Sequence, residues 1–374
     1  MTSREQINCM ALAMMFANRG RQLLLLYKQT GSATAIVDHA DNLRSVAPAL
    51  NPEAFLIDAG QLKVCLEQAT AEAEFAEKNG IAILTPDDPR YPKRLYEVCD
   101  DAPLALYLCG NADLNSQRIL SIVGTRRSTD YGLDMVNNIV GELAQYFPDL
   151  LIVSGLAYGT DINAHRAALS NGLPTVGVLA HGLDRIYPAT HRQTAARMTQ
   201  HGGLLTEFPS TTKIDPLNFL RRNRLIAALA QGTLVVESKS HGGALTTARH
   251  ALEYNLAVMA CPGRATDIAS EGCNRLIATN GAALVSSAAD IVQTLGWKVP
   301  KQQAPALPSL FADNLNAEEK LVFDTLTLDP RHFSDIVSAT GLAVPTVLSV
   351  LSELEFRGLA RQLPGSNWRK NHSQ

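Results

Sequence analysis

The chain predicts an α/β protein: a Rossmann-like, mostly parallel sheet with helices on both faces, flanked by an N-terminal helical domain and a C-terminal winged helix. Three observations predict it. Short apolar runs at 119–123, 150–153, 175–179, 203–206, 233–236 and 256–260 alternate with helical stretches at 131–146, 160–170, 190–200, 218–230 and 243–254. Strand, helix and strand repeated in this way specify parallel strands with helical crossovers. The strand of residues 119–123 is apolar on both faces, as a strand between two helical layers is. Finally, nearly every run exits into small, polar or glycine-containing residues, and in such sheets ligands bind beyond the carboxyl ends of the strands.

The bounds come from composition. With 374 residues, 46% of them hydrophobic and 18% charged, the chain is long enough for two or three domains and too apolar for disorder. A net charge of −3 excludes a chain coated in positive charge but permits a local basic cleft. Cys9, Cys65, Cys99, Cys109, Cys261 and Cys273 are scattered without a C-x-x-C pair, which fits reduced, mostly buried thiols of a cytoplasmic protein. The apolar segment 7–17 follows Glu5 and leads to no small-residue cleavage site, so it reads as a first helix. No run approaches transmembrane length, and no membrane partner is expected.

Residues 1–78 read as helices with breaks at Thr30-Gly31-Ser32, Pro48 and Asn51-Pro52, a domain of the SAM or helix-hairpin-helix kind. The turn from Thr30 to Ala33 has one glycine where phosphate-gripping hairpins carry two, so a plain accessory role is expected. Residues 79–297 form the Rossmann-like domain, opened by strands at 81–84 and 104–109. Residues 298–314, rich in Pro, Gln and Ala, read as a linker. In 315–374, Asn316 with Glu319 makes a capping box for a helix over 317–328. Ser334 is expected to cap a second helix ending at Gly341, and Pro345 opens a third ending near Gly358. Leu359–Leu363, the Pro364-Gly365 turn and Asn367–Arg369 complete a winged helix. Its third helix has no Lys or Arg before Arg357 and carries Glu353 and Glu355, so it is poorly equipped to read a duplex groove.

The first of the alternating strands ends in Gly124-Thr125-Arg126-Arg127. A strand, a glycine turn and a helix N-terminus make an anion site from free amides and the helix dipole, and arginine forks match phosphate oxygens. Gly155 and Gly159 follow the next strand. Arg221, Arg222 and Arg224 open a helix after Asp215-Pro216; Arg221 and Arg224 share a face and are expected near the same edge as Arg126. Gly242 and Gly243, with Thr246, offer further amides, the alternative being a tight left-handed turn. Asn274 is expected to cap a helix, with Arg275 facing ligand or solvent. Tyr131, Tyr158, Tyr187, Phe208 and Phe219 are the rings available to stack on bases.

Several enzyme classes are disfavoured. The sequence holds no G-x-x-x-x-G-K-[ST] and no G-x-G-x-x-G after a strand. Ser154, Asp161 and His165 could be drawn as a triad, but Val153 stands where a nucleophile elbow needs glycine. No histidine pair has metal-ligand spacing. No catalytic residue, metal or cofactor is therefore expected.

Five blocks, in order, resemble the DNA-processing protein A (DprA/Smf) family across about residues 80–297. They are Gly124-Thr-Arg, Ser154-Gly-Leu-Ala-x-Gly159-x-Asp161-x-x-Ala-His165, Gly182-Leu-Asp-x-x-Tyr187-Pro188, Arg222-Asn-Arg224-Leu-Ile-Ala and Pro262-Gly263 with Gly272-Cys-Asn-Arg275-Leu-Ile. The resemblance implies a single-stranded DNA-binding protein that loads the RecA recombinase during natural transformation and dimerises through its Rossmann domain. It implies that Gly124-Thr125-Arg126 grips phosphate and that the turn after Tyr187-Pro188 adds contacts. This chain departs there, with Ala189 where many members carry lysine; His191 and Arg192 stand next to it as replacements. The rival reading is a nucleotide phosphoribohydrolase of the lysine-decarboxylase-like group, using Glu237 with Gly242-Gly243. Ser240–Thr246 lacks the Pro, third Gly and trailing Glu of that group's P-G-G-x-G-T-x-x-E block. A ligand-sensing regulator that reads duplex DNA through its winged helix is disfavoured by the acidic third helix.

Overall fold

The computed structural model describes residues 2–49, 55–299, 315–327 and 329–370. The Asn51-Pro52 break and residues 300–314 of the expected linker lie outside the described residues. The chain divides into two compact units, Met1–Lys298 and Val299–Gln374.

The first unit opens with α1 (Arg4–Met15), α2 (Gly20–Thr30), α3 (Ala33–Asp38) and α4 (Ala59–Lys78). A capping box between Ser3 and Gln6 starts α1, and Gly31, at φ +71°, ends α2. The Thr30–Ala33 turn is closed from within. The Glu5 carboxylate accepts from the Ala33 amide at 2.5 Å, the Thr34 amide at 2.9 Å and the Ser32 hydroxyl at 2.9 Å. Burial pushes the Glu5 carboxyl up, but the hydrogen bonds from Thr34, Ala33 and Ser32 outweigh it and hold the group below its ordinary value. A built-in carboxylate thus occupies the place where a hairpin would hold phosphate.

The sheet contains β1 (Ala82–Leu84) and β2 (Leu106–Gly110), with α5 (Lys93–Val98) between them. There follow β3 (Ile119–Val123), α6 (Asp130–Tyr146), β4 (Leu151–Ser154), α7 (Thr160–Ser170) and β5 (Thr175–Val178). Next come α8 (Arg192–Gln200), β6 (Gly202–Thr206), α9 (Pro216–Leu229), β7 (Gly232–Val235), α10 (Ala244–Glu253) and β8 (Ala257–Ala260). The unit closes with α11 (Glu271–Ala278), β9 (Ala283–Leu284) and α12 (Ala288–Thr294). The strand order among the described residues is β1-β2-β6-β5-β4-β3-β7-β8-β9. The strands from β6 to β9 in that order are parallel, whereas β1 and β2 form an antiparallel edge. Every residue of β3 and β4 is buried. Alternation divides β3 between two cores: Ile119 and Val123 face one, with Ala227 and Ala248, and Leu120 and Ile122 face the other, with Val136 and Leu143. Leu12, Phe16 and Ile36 of the N-terminal helices belong to the first of these cores, so helices and sheet share it.

The second unit packs α13 (Ala317–Thr325), β10 (Arg331–His332), α14 (Phe333–Thr340), α15 (Val344–Phe356), β11 (Ala360–Leu363) and β12 (Asn367–Lys370) around Val322, Ile336, Leu351, Leu354 and Trp368. The Asn316–Glu319 capping box forms as expected. The cap of α14 is corrected: His332, not Ser334, is the N-cap, its ring nitrogen accepting from the Ser334 amide. The two-residue β10 pairs with β12 and is too short to leave a periodic signal. Among the described residues no single helix is long and apolar enough to cross a membrane.

Candidate nucleic-acid interface

After β3 the chain winds β4, β5 and β6 to one side, then crosses back to place β7 on the other. The carboxyl ends of β3 and β7 therefore flank the topological switch point, where α/β sheets open a crevice. The loop leaving β3 is folded tightly onto the start of α7. The Thr125 carbonyl accepts from the Thr160 amide at 3.1 Å and the Thr160 hydroxyl at 3.3 Å. This closeness requires Gly159, which sits at φ +75° and whose Cβ would fall 2.2 Å from the Thr125 oxygen. Arg126 and Arg127 are left exposed at the tip.

Gly155, at the end of β4, has a second kind of necessity. A Cβ there would lie 2.2 Å from an Arg222 nitrogen and 2.4 Å from an Asp161 oxygen. Its absence lets Arg222 slide from α9 to the floor of the crevice, 4% exposed. One end of its guanidinium donates to the Val178 carbonyl at 2.6 Å, while its Nε has no hydrogen-bond partner among the described residues. Burial pulls the guanidinium down to about 10; Asp161 opposes this and Arg126 adds to it. Burial likewise raises the Asp161 carboxyl, with Arg222 holding it back.

The crevice is a cleft of about 480 Å³ lined by Gly124, Thr125, Arg126, Arg222, Lys239, Gly242 and Gly243 among others. Helix α10 enters it at Gly243 without a side-chain cap, so its dipole end is unshielded. Gly243 has φ −60°, which excludes the left-handed turn; a Cβ on Gly242 would strike the Ser238 hydroxyl, and Gly243 faces open space. Beside the cleft, and sharing Arg126, Phe219 and Arg222 with it, lies a slot of about 70 Å³ walled by Tyr158, Tyr187 and Phe219. The Tyr187 and Phe219 rings meet edge to face at 6.1 Å, and the Arg126 guanidinium lies 5.8 Å from the Phe219 ring. His191 is buried behind this wall, bonded to the Leu156 carbonyl, with its ring 4.9 Å from Tyr158.

The structure thus brings together Gly124, Thr125, Arg126, Gly155, Gly159, Tyr187, Arg222, Gly242 and Gly243, with Arg127 at the rim. It does not bring Arg221 and Arg224 there, which corrects the expectation that they share an edge with Arg126. They do share a face of α9, but it is turned toward the N-terminal helices, where both line a cavity of about 540 Å³ with Met10 and Phe16. Arg221 donates to Asn18 at 2.8 Å. Arg224 is enclosed by Glu207 at 2.6 Å and Asp101 at 2.9 Å; burial works against its charge, but the two carboxylates prevail and hold it protonated. Asn274 is no cap: it lies within α11 and pins the turn at Gly263 through both its amide oxygen and nitrogen. Arg275 and Arg192 are exposed on α11 and α8, outside the cleft lining. Thr246 is half-buried, and its neighbour Thr247 lines the cleft instead. Tyr131 is tied to the Pro262 carbonyl and Phe208 lines the other cavity, so neither joins the slot.

Lys239 was missed by sequence reasoning, because one lysine in a polar loop carries no pattern. Arg222 had a signal: with Leu225, Ile226 and Leu229 it lies on the buried stripe of α9, where a cation is out of place. The groups of the enzyme readings are engaged elsewhere. The Glu237 oxygens accept from the Thr129 amide at 2.9 Å and hydroxyl at 2.6 Å, holding the N-cap residue of α6. His165 reaches the Gly155 carbonyl through Nε2 and the Thr175 hydroxyl through Nδ1, so neither ring nitrogen is left to serve Ser154 as a base.

Fold and site define a Rossmann-like protein whose strand ends assemble a cationic cleft beside an aromatic slot, with a winged helix in a second unit. Two family patterns match it: DNA recombination-mediator protein A over residues 82–296 and the DprA winged helix domain over residues 301–366. Protein Smf of Synechocystis is 33% identical over 330 residues, 79% of this chain and 82% of its own length. The X-ray structure of DprA from Streptococcus pneumoniae superposes with a TM-score of 0.58 at 31% identity, covering 68% of this chain and 86% of that one. DprA from Helicobacter pylori, solved for its single-stranded DNA binding mode, gives 0.52 at 29% identity, covering 57% and 95%. The chain belongs to the DNA recombination-mediator protein A (DprA) family.

Proposed function

We propose that this chain binds single-stranded DNA in the cleft and, as a cytoplasmic homodimer, loads RecA onto that strand during natural transformation. The observation that carries the binding is the buried Arg222, which joins the cationic cleft to the aromatic slot. Phosphates meet Arg126, Arg222, Lys239 and the amide end of α10, while a base stacks on the exposed rings of Tyr187 and Tyr158 at the mouth of the slot. A base can reach that slot only when it is unpaired and can splay away from its neighbours, which favours a single strand over a duplex. Family membership supports RecA loading and dimerisation, and the exposed Arg127, Arg192 and Arg275 are candidates for contacts beyond the cleft; His191, buried and bonded to Leu156, is not. The chain acts as a binder without catalytic residue or cofactor: the rival hydrolase would need Glu237 free, and Thr129 holds it.

The winged helix serves a protein contact in this reading. Val344, Leu348 and Phe356 of α15 are exposed, and Arg357 is paired with Glu353 and Glu319, which leaves an apolar and acidic face. Such a face repels a phosphate backbone. The test is an electrophoretic shift with single- and double-stranded oligonucleotides of one sequence at two salt concentrations. Single strands should bind more tightly, and binding should weaken steeply with salt; equal or stronger duplex binding refutes the reading.

A further inference from the structure

Helix α9 is shared between two neighbours. One side supplies Phe219 and Arg222 to the cleft; the other meets the N-terminal helices through Arg221 and Asn18. The segment that feeds α9, between β6 and Asp215, is fixed from the same direction. Glu72 of α4, 7% exposed, accepts the Ser210 amide with both oxygens, at 2.9 and 3.0 Å, and the Ser210 hydroxyl at 2.6 Å. The Gly182 turn also closes on the same residues, so tightly that a Cβ on Gly182 would lie 2.4 Å from the Pro209 oxygen. A few residues on, Asp215 caps α9 through the Leu217 amide.

A buried carboxylate is costly unless a cation meets it. Among the described residues the hydrogen bonds to Glu72 come from Ser210, and burial, with Asp184 adding to it, raises its carboxyl above the ordinary range. An apolar residue would pack there more cheaply, so the carboxylate is accounted for by the loop geometry it enforces. We propose that Glu72 is a positioning residue for the cleft: by clamping Ser210 it sets where α9 begins, and so where Arg222 and Phe219 stand. The N-terminal helices thereby act on the polyanion site without touching its ligand. This rests on the reading that the cleft binds single-stranded DNA.

If the clamp is lost, the cleft is complete in only a fraction of molecules, and apparent affinity falls by that fraction. The experiment measures binding of a fluorescein-labelled oligothymidylate by anisotropy, over a salt series, for full-length Glu72→Ala, Glu72→Gln, Ser210→Ala and the Glu72→Ala/Ser210→Ala pair. Glu72→Ala should weaken binding roughly tenfold, equivalent to about 1.4 kcal/mol. Glu72→Gln should lose less, because its amide oxygen still accepts from the Ser210 amide. The pair should be no worse than Glu72→Ala, since both remove one clamp. The salt slope should stay at the parent's value, because no phosphate contact is lost. Parent-like affinity in Glu72→Ala, additive losses in the pair, or a slope flattened as by Arg126→Ala overturns the proposal. Should Glu72→Ala lower the melting temperature, Glu72→Gln and Ser210→Ala decide together, and unchanged affinity in both sinks the idea. A parent protein that binds no oligonucleotide would instead overturn the reading of the cleft itself.

Discussion

Arg126 and Arg224 are alike by sequence pattern, each in a short basic run near a helix start, and the structure predicts opposite phenotypes for them. Arg126 is exposed at the cleft, and its replacement by alanine removes a phosphate contact while leaving the fold alone. Hydrogen bonds to charged groups contribute about 1.5–3 kcal/mol, so affinity should fall roughly ten- to a hundredfold. The slope of log affinity against log salt should shrink by about 0.7, the value for one lost contact on a single strand. Arg224→Ala should instead damage stability. It strips the cation from Glu207 and Asp101, whose pairing distances are 2.6 and 2.9 Å at a site where the arginine side chain is 12% exposed. Breaking such a pair costs about 3–5 kcal/mol, and in a unit of this size each kcal/mol lowers the melting temperature by roughly 2–4 °C.

Anisotropy titrations over a salt series, with thermal melts of the same preparations, separate the two effects. Arg126→Ala should show a flatter slope at an unchanged melting temperature; Arg224→Ala should melt roughly 10 °C lower, with the parental slope wherever it remains folded. If Arg224→Ala is stable and flattens the slope as much as Arg126→Ala, then Arg224 reaches DNA and the cleft has been drawn in the wrong place.

Two further outcomes are expected. Burial holds His165 at about 4 in the folded chain, against about 6.5 when unfolded. Between those values the unfolded chain binds a proton that the folded one refuses, so stability should fall as pH drops from 6.5 toward 4. The loss is about 2 kcal/mol at pH 5, and denaturant melts at pH 7 and pH 5 should show it shrinking in His165→Asn; an equal pH dependence in both proteins refutes the assignment. Deleting residues 315–374 should leave oligonucleotide affinity within about threefold, less than a single lost charged hydrogen bond, and a collapse of binding in the shift assay would place DNA on the winged helix.

The parts of the fold that were legible are those with a period. The strands from 119 to 260 and their helices stand close to where alternation put them, because burial on two faces writes a continuous apolar run into the sequence. The antiparallel edge of β1 and β2 was not legible, since strand direction depends on pairing and not on composition. In the site, the glycines were readable as a class, but their reasons were tertiary: Gly155 makes room for Arg222, and Gly132 for Glu237. The arginines of α9 mark the limit most clearly. Helical geometry gives the angle between Arg221, Arg222 and Arg224, but not which of them the sheet will face. The apolar stripe through Leu225, Ile226 and Leu229 holds that information and selects Arg222.

Why a buried arginine should stand at the switch point follows from the charges around it. Arg126, Arg222 and Lys239 line a cleft in which Asp161 is the lining carboxylate. With burial and Arg126 against it, the Arg222 guanidinium is held less firmly protonated than a free one, although Asp161 is near. Each of Arg222 and Arg224 keeps one buried nitrogen without a hydrogen-bond partner among the described residues, so it is the balance of charge that separates them. A structural ion pair would be built the other way, as Arg224 is, with two carboxylates enclosing one cation. The same helix therefore carries one arginine whose charge is satisfied within the protein and another whose charge is not. That contrast, within a single stretch of three residues, distinguishes a fixed structural contact from a site prepared for an anion supplied from outside.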